Sequence, residues 1–187
     1  TRFIPRFGIG KGIWYSVFHS ISAFCNAGFD LMGTTEPYAS LSVFSDDAIV
    51  ILTVSALIVI GGIGFLVWDD ISKKKLKFRY YQLHTKLVLC VTAILLVVPT
   101  VLFFIFEKDF TNSDLGFGHS LLNSIFDSAT ARTAGFNSTD TASLSPASKI
   151  LTVFLMFIGG SPGSTAGGMK TTTLAVIAIS TFNGITR

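Results

Sequence analysis

Phe18-His19-Ser20-Ile21-Ser22-Ala23-Phe24-Cys25-Asn26-Ala27-Gly28-Phe29 and Phe126-Asp127-Ser128-Ala129-Thr130-Ala131-Arg132-Thr133-Ala134-Gly135-Phe136 are two copies of one pattern. Phe-x-Ser-x-(Ser/Thr)-Ala opens each copy and Ala-Gly-Phe closes it, with one residue fewer between the two halves in the second. A repeat at a spacing of about a hundred residues indicates a duplicated supersecondary unit. Its content decides the fold.

Half of the 187 residues are hydrophobic, 13% are charged, and the mean hydropathy is +0.63. A soluble domain has about a quarter of its residues charged, so this is the composition of a membrane protein. Ala48 to Val67 and Leu87 to Phe106 are each uncharged throughout. At about 1.5 Å per residue each covers roughly 30 Å, the thickness of a hydrocarbon core, and both are expected to be transmembrane helices. Cys25 and Cys90 stand in unrelated surroundings, and His19, His84 and His119 have no ligand spacing. Disulfide, metal and catalytic readings therefore lack support, and the chain is read as no enzyme. It opens at Thr1 without a methionine and stops at Arg187, which suggests a piece of a longer protein.

Between the two spans, Lys73, Lys74, Lys75, Lys77, Arg79 and Lys86 face only Asp69 and Asp70 in a short loop, which places that loop in the cytoplasm. The loops at Asp30–Asp47 and Glu107–His119, with seven acidic residues and one lysine, then lie outside. Arg2, Arg6 and Lys11 run against this scheme and are discounted in favour of the stronger bias.

Ile13 to Phe24 and His119 to Ala131 are about a dozen residues each and reach only half-way through a bilayer. They read as re-entrant pore helices that descend from outside, turn at Ala-Gly-Phe and return as extended chain. Backbone of this kind is tolerated at membrane depth only where protein buries it or water lines it. Glycine at the turn provides the conformational freedom, and inward carbonyls can replace a cation's water shell, aided by the negative ends of the pore helices.

From Ile150 an apolar arm runs into Gly159-Gly160-Ser161-Pro162-Gly163-Ser164-Thr165-Ala166-Gly167-Gly168, then Met169-Lys170 and a second apolar arm, Thr171 to Phe182. Neither arm spans alone; together they form one crossing that five glycines and a proline must interrupt. That loop is expected to face the pore interior as a mobile constriction, with Ser161, Ser164 and Thr165 offering hydroxyls to a hydrated ion. Ile60-Gly61-Gly62 repeats Ile158-Gly159-Gly160 without the expansion. A phosphate-binding loop is excluded because Met169 separates Gly168 from Lys170 and no strand precedes it. Lys170 marks the inner end of the loop, whether it reaches the interface or takes part in gating. Arg132 is expected to turn away from the pore and pair with Asp127 or Asp140.

Ser-Ala-Phe-Cys-Asn-Ala-Gly-Phe, Thr-Ala-Arg-Thr-Ala-Gly-Phe-Asn and above all Phe157 to Thr173 resemble the Trk/Ktr/HKT superfamily of potassium transporters, most closely its KtrB branch. The resemblance implies an all-α membrane protein of helix, re-entrant pore loop and helix units, as in potassium channels, with a broken last helix. It divides this chain into residues 1–68, the pore loop and second helix of the second of four repeats; 69–86, a cytoplasmic basic linker; and 87–187, the first helix, pore loop and broken second helix of the third.

By the same resemblance Asn26, Ala27, Gly28, Thr133, Ala134 and Gly135 belong to the selectivity filter, with potassium held by backbone carbonyls at Gly28 and Gly135. Residues 159–168 match the gating loop beneath it. The family implies plasma-membrane location, potassium as transported ion with sodium dependence as an option, and no cofactor or nucleic acid. It also implies a homodimer among membrane lipids, on a cytosolic ring of nucleotide-binding regulatory subunits for which Lys73 to Lys86 offers a contact. Two other classes stand beside this one: a secondary transporter with a midplane site between discontinuous helices, and a membrane sensor or interaction subunit without transport.

Overall fold

The computed structural model describes residues 2–34, 39–75, 77–111 and 116–185. Glu36 and Asp114, two of the outer-loop acids, lie outside that set. The described residues form eight α-helices and no β-strand, apart from one isolated parallel bridge between Ile158 and Met169. In chain order the helices are α1 (Ile4–Phe7), α2 (Ile9–Phe24), α3 (Ala48–Ile63), α4 (Phe65–Lys74), α5 (Leu83–Phe106), α6 (Phe117–Thr130), α7 (Pro146–Phe157) and α8 (Thr171–Ile185). The short helices foreseen before each Ala-Gly-Phe correspond to α2, which starts four residues earlier than expected and has 16 residues, and α6, which runs from two residues earlier to one residue short of Ala131.

One of the two expected spans is continuous. Helix α5 is long and apolar enough to cross a bilayer, and it begins four residues earlier than its uncharged stretch. Pro99 lies inside it, and the Thr100 hydroxyl donates to the Leu96 carbonyl at 2.7 Å beside the kink-prone site. The other expected span, Ala48 to Val67, is not one helix: it breaks at Gly64 and turns through 92° into α4. Gly64 has φ 93°, and a Cβ there would lie 2.8 Å from the Pro162 carbonyl oxygen, so both backbone conformation and space require glycine. Asp47 caps the start of α3, its carboxylate accepting from the Ile49 and Val50 amides.

Helix α3 packs against α2 and α6, and α5 packs against α6, α7, α8 and α4. The main core lies where α2, α3 and α6 meet: Tyr15, Ala23, Val50, Ile51, Val54, Ile58, Leu122, Phe126, Ala129 and Phe136 are buried together. The outward faces are apolar as well. Ile94, Val97, Val101 and Ile105 on α5, Ile150, Val153, Phe154 and Phe157 on α7, and Ile177, Ile179 and Phe182 on α8 are all exposed. An apolar surface of this extent is what a bilayer or further helices would cover.

Two of the basic residues on the side assigned outside, Arg2 and Arg6, are tied down. Arg2 pairs with Asp47 at 3.5 Å, while Arg6 donates to the Val43 carbonyl at 2.6 Å and stands 4.5 Å over the Phe44 ring. At the opposite end, Asp70 is buried with 4% of its surface exposed and accepts from Lys74 at 2.8 Å and the Gln82 amide at 2.9 Å. The Lys74 ammonium first, with the Gln82 amide and Thr85 hydroxyl, holds its carboxyl down to about 2 from the ordinary 3.8. Because the folded value is the lower one, the clamp's contribution is complete above pH 3.8 and is lost as pH falls toward 2.

Gly61 and Gly62 differ sharply in surroundings. A Cβ on Gly61 would lie 1.9 Å from the Phe24 carbonyl oxygen, whereas one on Gly62 meets nothing within 4 Å. Gly61→Ala is therefore expected to destabilise the full-length protein by about 3 kcal/mol, through backbone displacement, and Gly62→Ala to leave it nearly unchanged. Thermal unfolding in detergent, followed as loss of the monodisperse peak, separates the two.

Candidate ion-conducting site

The two Ala-Gly-Phe turns share one backbone design. Each places a non-glycine residue and then a glycine in the left-handed region, Asn26 (φ 51°) with Gly28 (φ 70°) and Thr133 (φ 68°) with Gly135 (φ 85°). In each, a hydroxyl from the last turn of the preceding helix donates to the phenylalanine carbonyl: Ser22 to Phe29 at 2.8 Å, Thr130 to Phe136 at 2.7 Å. The alanine amide returns to that same helical residue, Ala27 to the Ser22 carbonyl at 2.9 Å and Ala134 to Thr130 at 3.0 Å. The missing residue of the second copy is thus absorbed inside a turn whose closing bonds are unchanged. Arg132 occupies the place that Phe24 and Cys25 share in the first.

The turns also touch. A Cβ on Gly28 would fall 2.2 Å from the Ala134 carbonyl oxygen and 3.0 Å from the Gly135 Cα, and one on Gly135 would be 3.6 Å from the Gly28 Cα. Only glycine tolerates that approach at φ 70°. Asn26, Ala27, Gly28, Thr133, Ala134 and Gly135 therefore come together at the ends of α2 and α6. A cavity of about 340 Å3 opens on the other flank of the second turn, bordered by Asp127, Thr133, Gly135, Asn137, Thr152 and Met156. Thr133 keeps a buried hydroxyl without a hydrogen-bond partner.

The glycine-rich loop between α7 and α8 docks on the break in α3. Helices leave their last carbonyls unsatisfied, and the loop supplies donors to those of α3: the Ser161 amide to Gly62 at 3.0 Å and the Thr165 amide to Gly61 at 3.4 Å. The Ser161 hydroxyl is shared between the Gly62 carbonyl, at 2.9 Å, and the Ile63 carbonyl. In return the Gly163 carbonyl accepts from the Phe65 amide, the first of α4, at 3.0 Å. The loop is closed at its neck by the Ile158–Met169 bridge, where Gly159 donates to Met169 at 3.0 Å. A Cβ at Gly159 would overlap the Gly167 carbonyl oxygen at 1.5 Å. Lys170 turns back to donate to the Ala166 carbonyl at 2.8 Å.

Thr165 joins this loop to the first turn. Its hydroxyl donates to the Phe24 carbonyl, the last of α2, at 2.9 Å and accepts from the Asn26 side-chain amide at 2.9 Å. Two sequence-based expectations change here. The Ser161 and Thr165 hydroxyls are committed to protein carbonyls instead of free for an ion, and of the three named hydroxyls only that of Ser164 is buried without a partner. Arg132 makes no ion pair with Asp127 or Asp140: its exposure is 7%, its Nε has no partner among the described residues, and it borders a cavity of about 10 Å3 shared with Asn26, Gly62, Gly159, Gly160 and Ala166. That is room for about one water. Sequence reasoning missed the Gly64 bend and the loop's docking partner; the one local sign of the first was glycine at 61, 62 and 64 inside an apolar run that otherwise reads as a single span.

The chain matches the TrkH cation transport protein family over residues 4–185. It is 48% identical to the potassium/sodium uptake protein NtpJ of Enterococcus hirae over 99% of its own length and 41% of that protein's. It is 40% identical to the Ktr system potassium uptake protein B of Vibrio alginolyticus, over 97% of this chain and 39% of that one, and 40% identical to the protein of the same name in Bacillus subtilis, over 96% and 39%. The chain thus spans about two-fifths of the length of these relatives. The crystal structure of the potassium transporter TrkH from Vibrio parahaemolyticus superposes with a TM-score of 0.77 at 21% identity, over 93% of this chain and 36% of that one, which establishes the shared fold. The all-helical architecture, the apolar α5 and the matched sequence agree: this chain belongs to the TrkH family of multi-pass cell-membrane cation transport proteins, which are not enzymes.

Proposed function

We propose that this chain is the central part of a potassium uptake protein, contributing two of the pore's filter turns and the loop that gates it. The carrying observation is the pair of equivalent Ala-Gly-Phe turns in backbone contact, each at the end of a helix too short to span and one of them hydrogen-bonded to the loop. Carbonyls along Asn26–Gly28 and Thr133–Gly135 strip potassium of water and replace its shell, and the C-terminal ends of α2 and α6 favour positive charge there. The ion moves down its electrochemical gradient with no covalent chemistry. The names of the relatives from Enterococcus hirae and Vibrio alginolyticus support potassium as the ion, with sodium as a second ion or a requirement. In this reading residues 1–68 and 87–187 are parts of successive repeats, joined by the cytoplasmic linker 69–86. In the same reading the full-length protein works as a homodimer with a cytosolic regulatory subunit; that the Ktr relatives are named as parts of a system supports a further component.

The loop 159–168 acts as the gate. Its carbonyl-directed bonds to α3 and to Phe24 hold it in one position, and releasing them frees the path below the filter. A secondary transporter with a midplane site remains the competing class, because α7 and α8 are two halves of an interrupted crossing.

Rubidium uptake into proteoliposomes containing the full-length parent tests the pore. Uptake that potassium suppresses far more than sodium or lithium is expected, and Gly135→Asp should abolish it while leaving the assembled protein intact. Undiminished uptake in that variant removes Gly135 from the pore. A second measurement addresses the gate: Thr165→Val deletes the bridge between loop and α2, so it should lower the unfolding free energy by about 1–3 kcal/mol and raise uptake in the absence of regulatory subunits. Thr165→Ser keeps the hydroxyl and should behave as wild type in both assays.

A further inference from the structure

Helix α3 has 16 residues and so descends about 24 Å from the outer side, a little less than the roughly 30 Å hydrocarbon core. The 92° turn lays α4 across the end of α3, level with Val88 at the start of the uncharged part of α5. Helix α4 sets the Phe65 ring 6.5 Å from that of Phe24 and Leu66 beside Gly163, buries Val67 against Ile63 and Val88, and has its Trp68 indole N–H donating to the Ile60 carbonyl at 3.0 Å. The chain after it is a held turn. Asp70 clamps Lys74 and the Gln82 amide, the Tyr81 hydroxyl donates to the Lys75 carbonyl, and Lys86 donates to the Arg79 carbonyl at 2.9 Å.

Charge on this turn sorts into two groups. Lys73 and Lys74 are neutralised one helical turn away, by Asp69 at 2.6 Å and Asp70 at 2.8 Å. Lys75, Lys77 and Arg79 are exposed and have no acidic partner among the described residues. They alternate with Phe78 (49% exposed) and Tyr80 (66%), and Leu83 at the start of α5 is exposed beside them. Ammonium and guanidinium groups pair with phosphate, while aromatic rings settle at headgroup level. A soluble acidic protein would match the cations but leave Phe78, Tyr80 and Leu83 in water.

We propose that Lys75, Lys77 and Arg79, with Phe78, Tyr80 and Leu83, form a headgroup site for an anionic phospholipid of the cytoplasmic leaflet. The two rings and Leu83 lie against the lipid's glycerol and upper acyl chains, and its phosphate sits among the three cations. The site fixes the elbow between α3 and α4, whose first amide is bonded to Gly163 of the glycine-rich loop. Lipid occupancy and loop position are thereby mechanically adjacent.

Native mass spectrometry of the full-length parent with phosphatidylglycerol and phosphatidylcholine tests this without measuring transport, so a failure of the potassium reading leaves it standing. Each cation at an anionic headgroup strengthens attachment about fivefold, so the Lys75→Gln, Lys77→Gln, Arg79→Gln triple variant should lose on the order of a hundredfold in phosphatidylglycerol affinity at low salt, with phosphatidylcholine binding unchanged. Retained preference for phosphatidylglycerol overturns the proposal. So does a variant that binds this lipid as wild type does but no longer binds a cytosolic regulatory subunit, since the cations then serve a protein contact. Should the triple variant fail to assemble, quenching in the protein with its cations intact decides: brominated phosphatidylglycerol must quench the Trp68 fluorescence, taken as the difference between wild type and Trp68→Phe, more strongly than brominated phosphatidylcholine. Equal quenching overturns it.

Discussion

A helix that stops inside an apolar slab must hand its last carbonyls to something, because lipid offers no donor and each bare carbonyl costs several kcal/mol. Helix α3 stops at Ile63, and the donors that meet Gly61, Gly62 and Ile63 come from Ser161 and Thr165, about a hundred residues away. Much of the remaining geometry follows. The bend at Gly64 is sustainable because those bonds replace the ones a continuous helix would make. Helix α4 can begin at once because Gly163 accepts from Phe65. The glycine-rich loop, in turn, satisfies its own polar backbone against α3 instead of against water. Two broken elements complete each other, and neither is reasonable in a bilayer alone.

The same constraint explains why small residues collect here. Gly61 lies against the Phe24 carbonyl, Gly160 against the Gly62 carbonyl, Gly64 against Pro162 and Gly28 against Ala134. Each is a place where two backbones approach within the reach of a methyl group. Close approach is the means by which main-chain donors find main-chain acceptors without side chains between them. Thr165 adds two side-chain bonds that carry this network on to α2, donating to the Phe24 carbonyl and accepting from the Asn26 side-chain amide. Loop, broken helix and first Ala-Gly-Phe turn are thus a single hydrogen-bonded unit, so a displacement of the loop is felt at the turn.

What the sequence disclosed divides by range. The helices before each Ala-Gly-Phe were legible because their ends are set locally, by a recurrent hydroxyl followed within a turn or two by glycine. The span Leu87–Phe106 was legible because an uncharged run of that length has one stable form in lipid, and the helix extends it back to Leu83. The membrane character and the family followed from composition and from the Gly159–Gly168 motif. The bend at Gly64 was not legible, since an apolar run reads as one span until its distant partner is known. Ser161 and Thr165 were misassigned for the same reason: a hydroxyl near a pore looks available until its carbonyl acceptors are located. The matching of Asn26 with Thr133 as paired left-handed residues also escaped notice: asparagine tolerates a positive φ, but a β-branched threonine does not announce one.

Arg132 shows where the two copies stop being equivalent. In the first copy Phe24 and Cys25 fill the interval before the turn, and the Phe24 carbonyl is free to receive Thr165. In the second copy that interval is a single residue carrying a permanent charge, buried beside Gly159 and Gly160. A guanidinium at a helix C-terminus gains from the helix dipole, but by only about 1 kcal/mol or less, far below the cost of burying an unpaired cation. The loop reaches the end of α2 by a hydrogen bond, from Thr165 to the Phe24 carbonyl, whereas at the end of α6 it packs beside Arg132 with no bond to it among the described residues. One deleted residue and one added charge thus separate two turns that share their backbone form: one is joined to the loop through a hydroxyl, the other by contact alone.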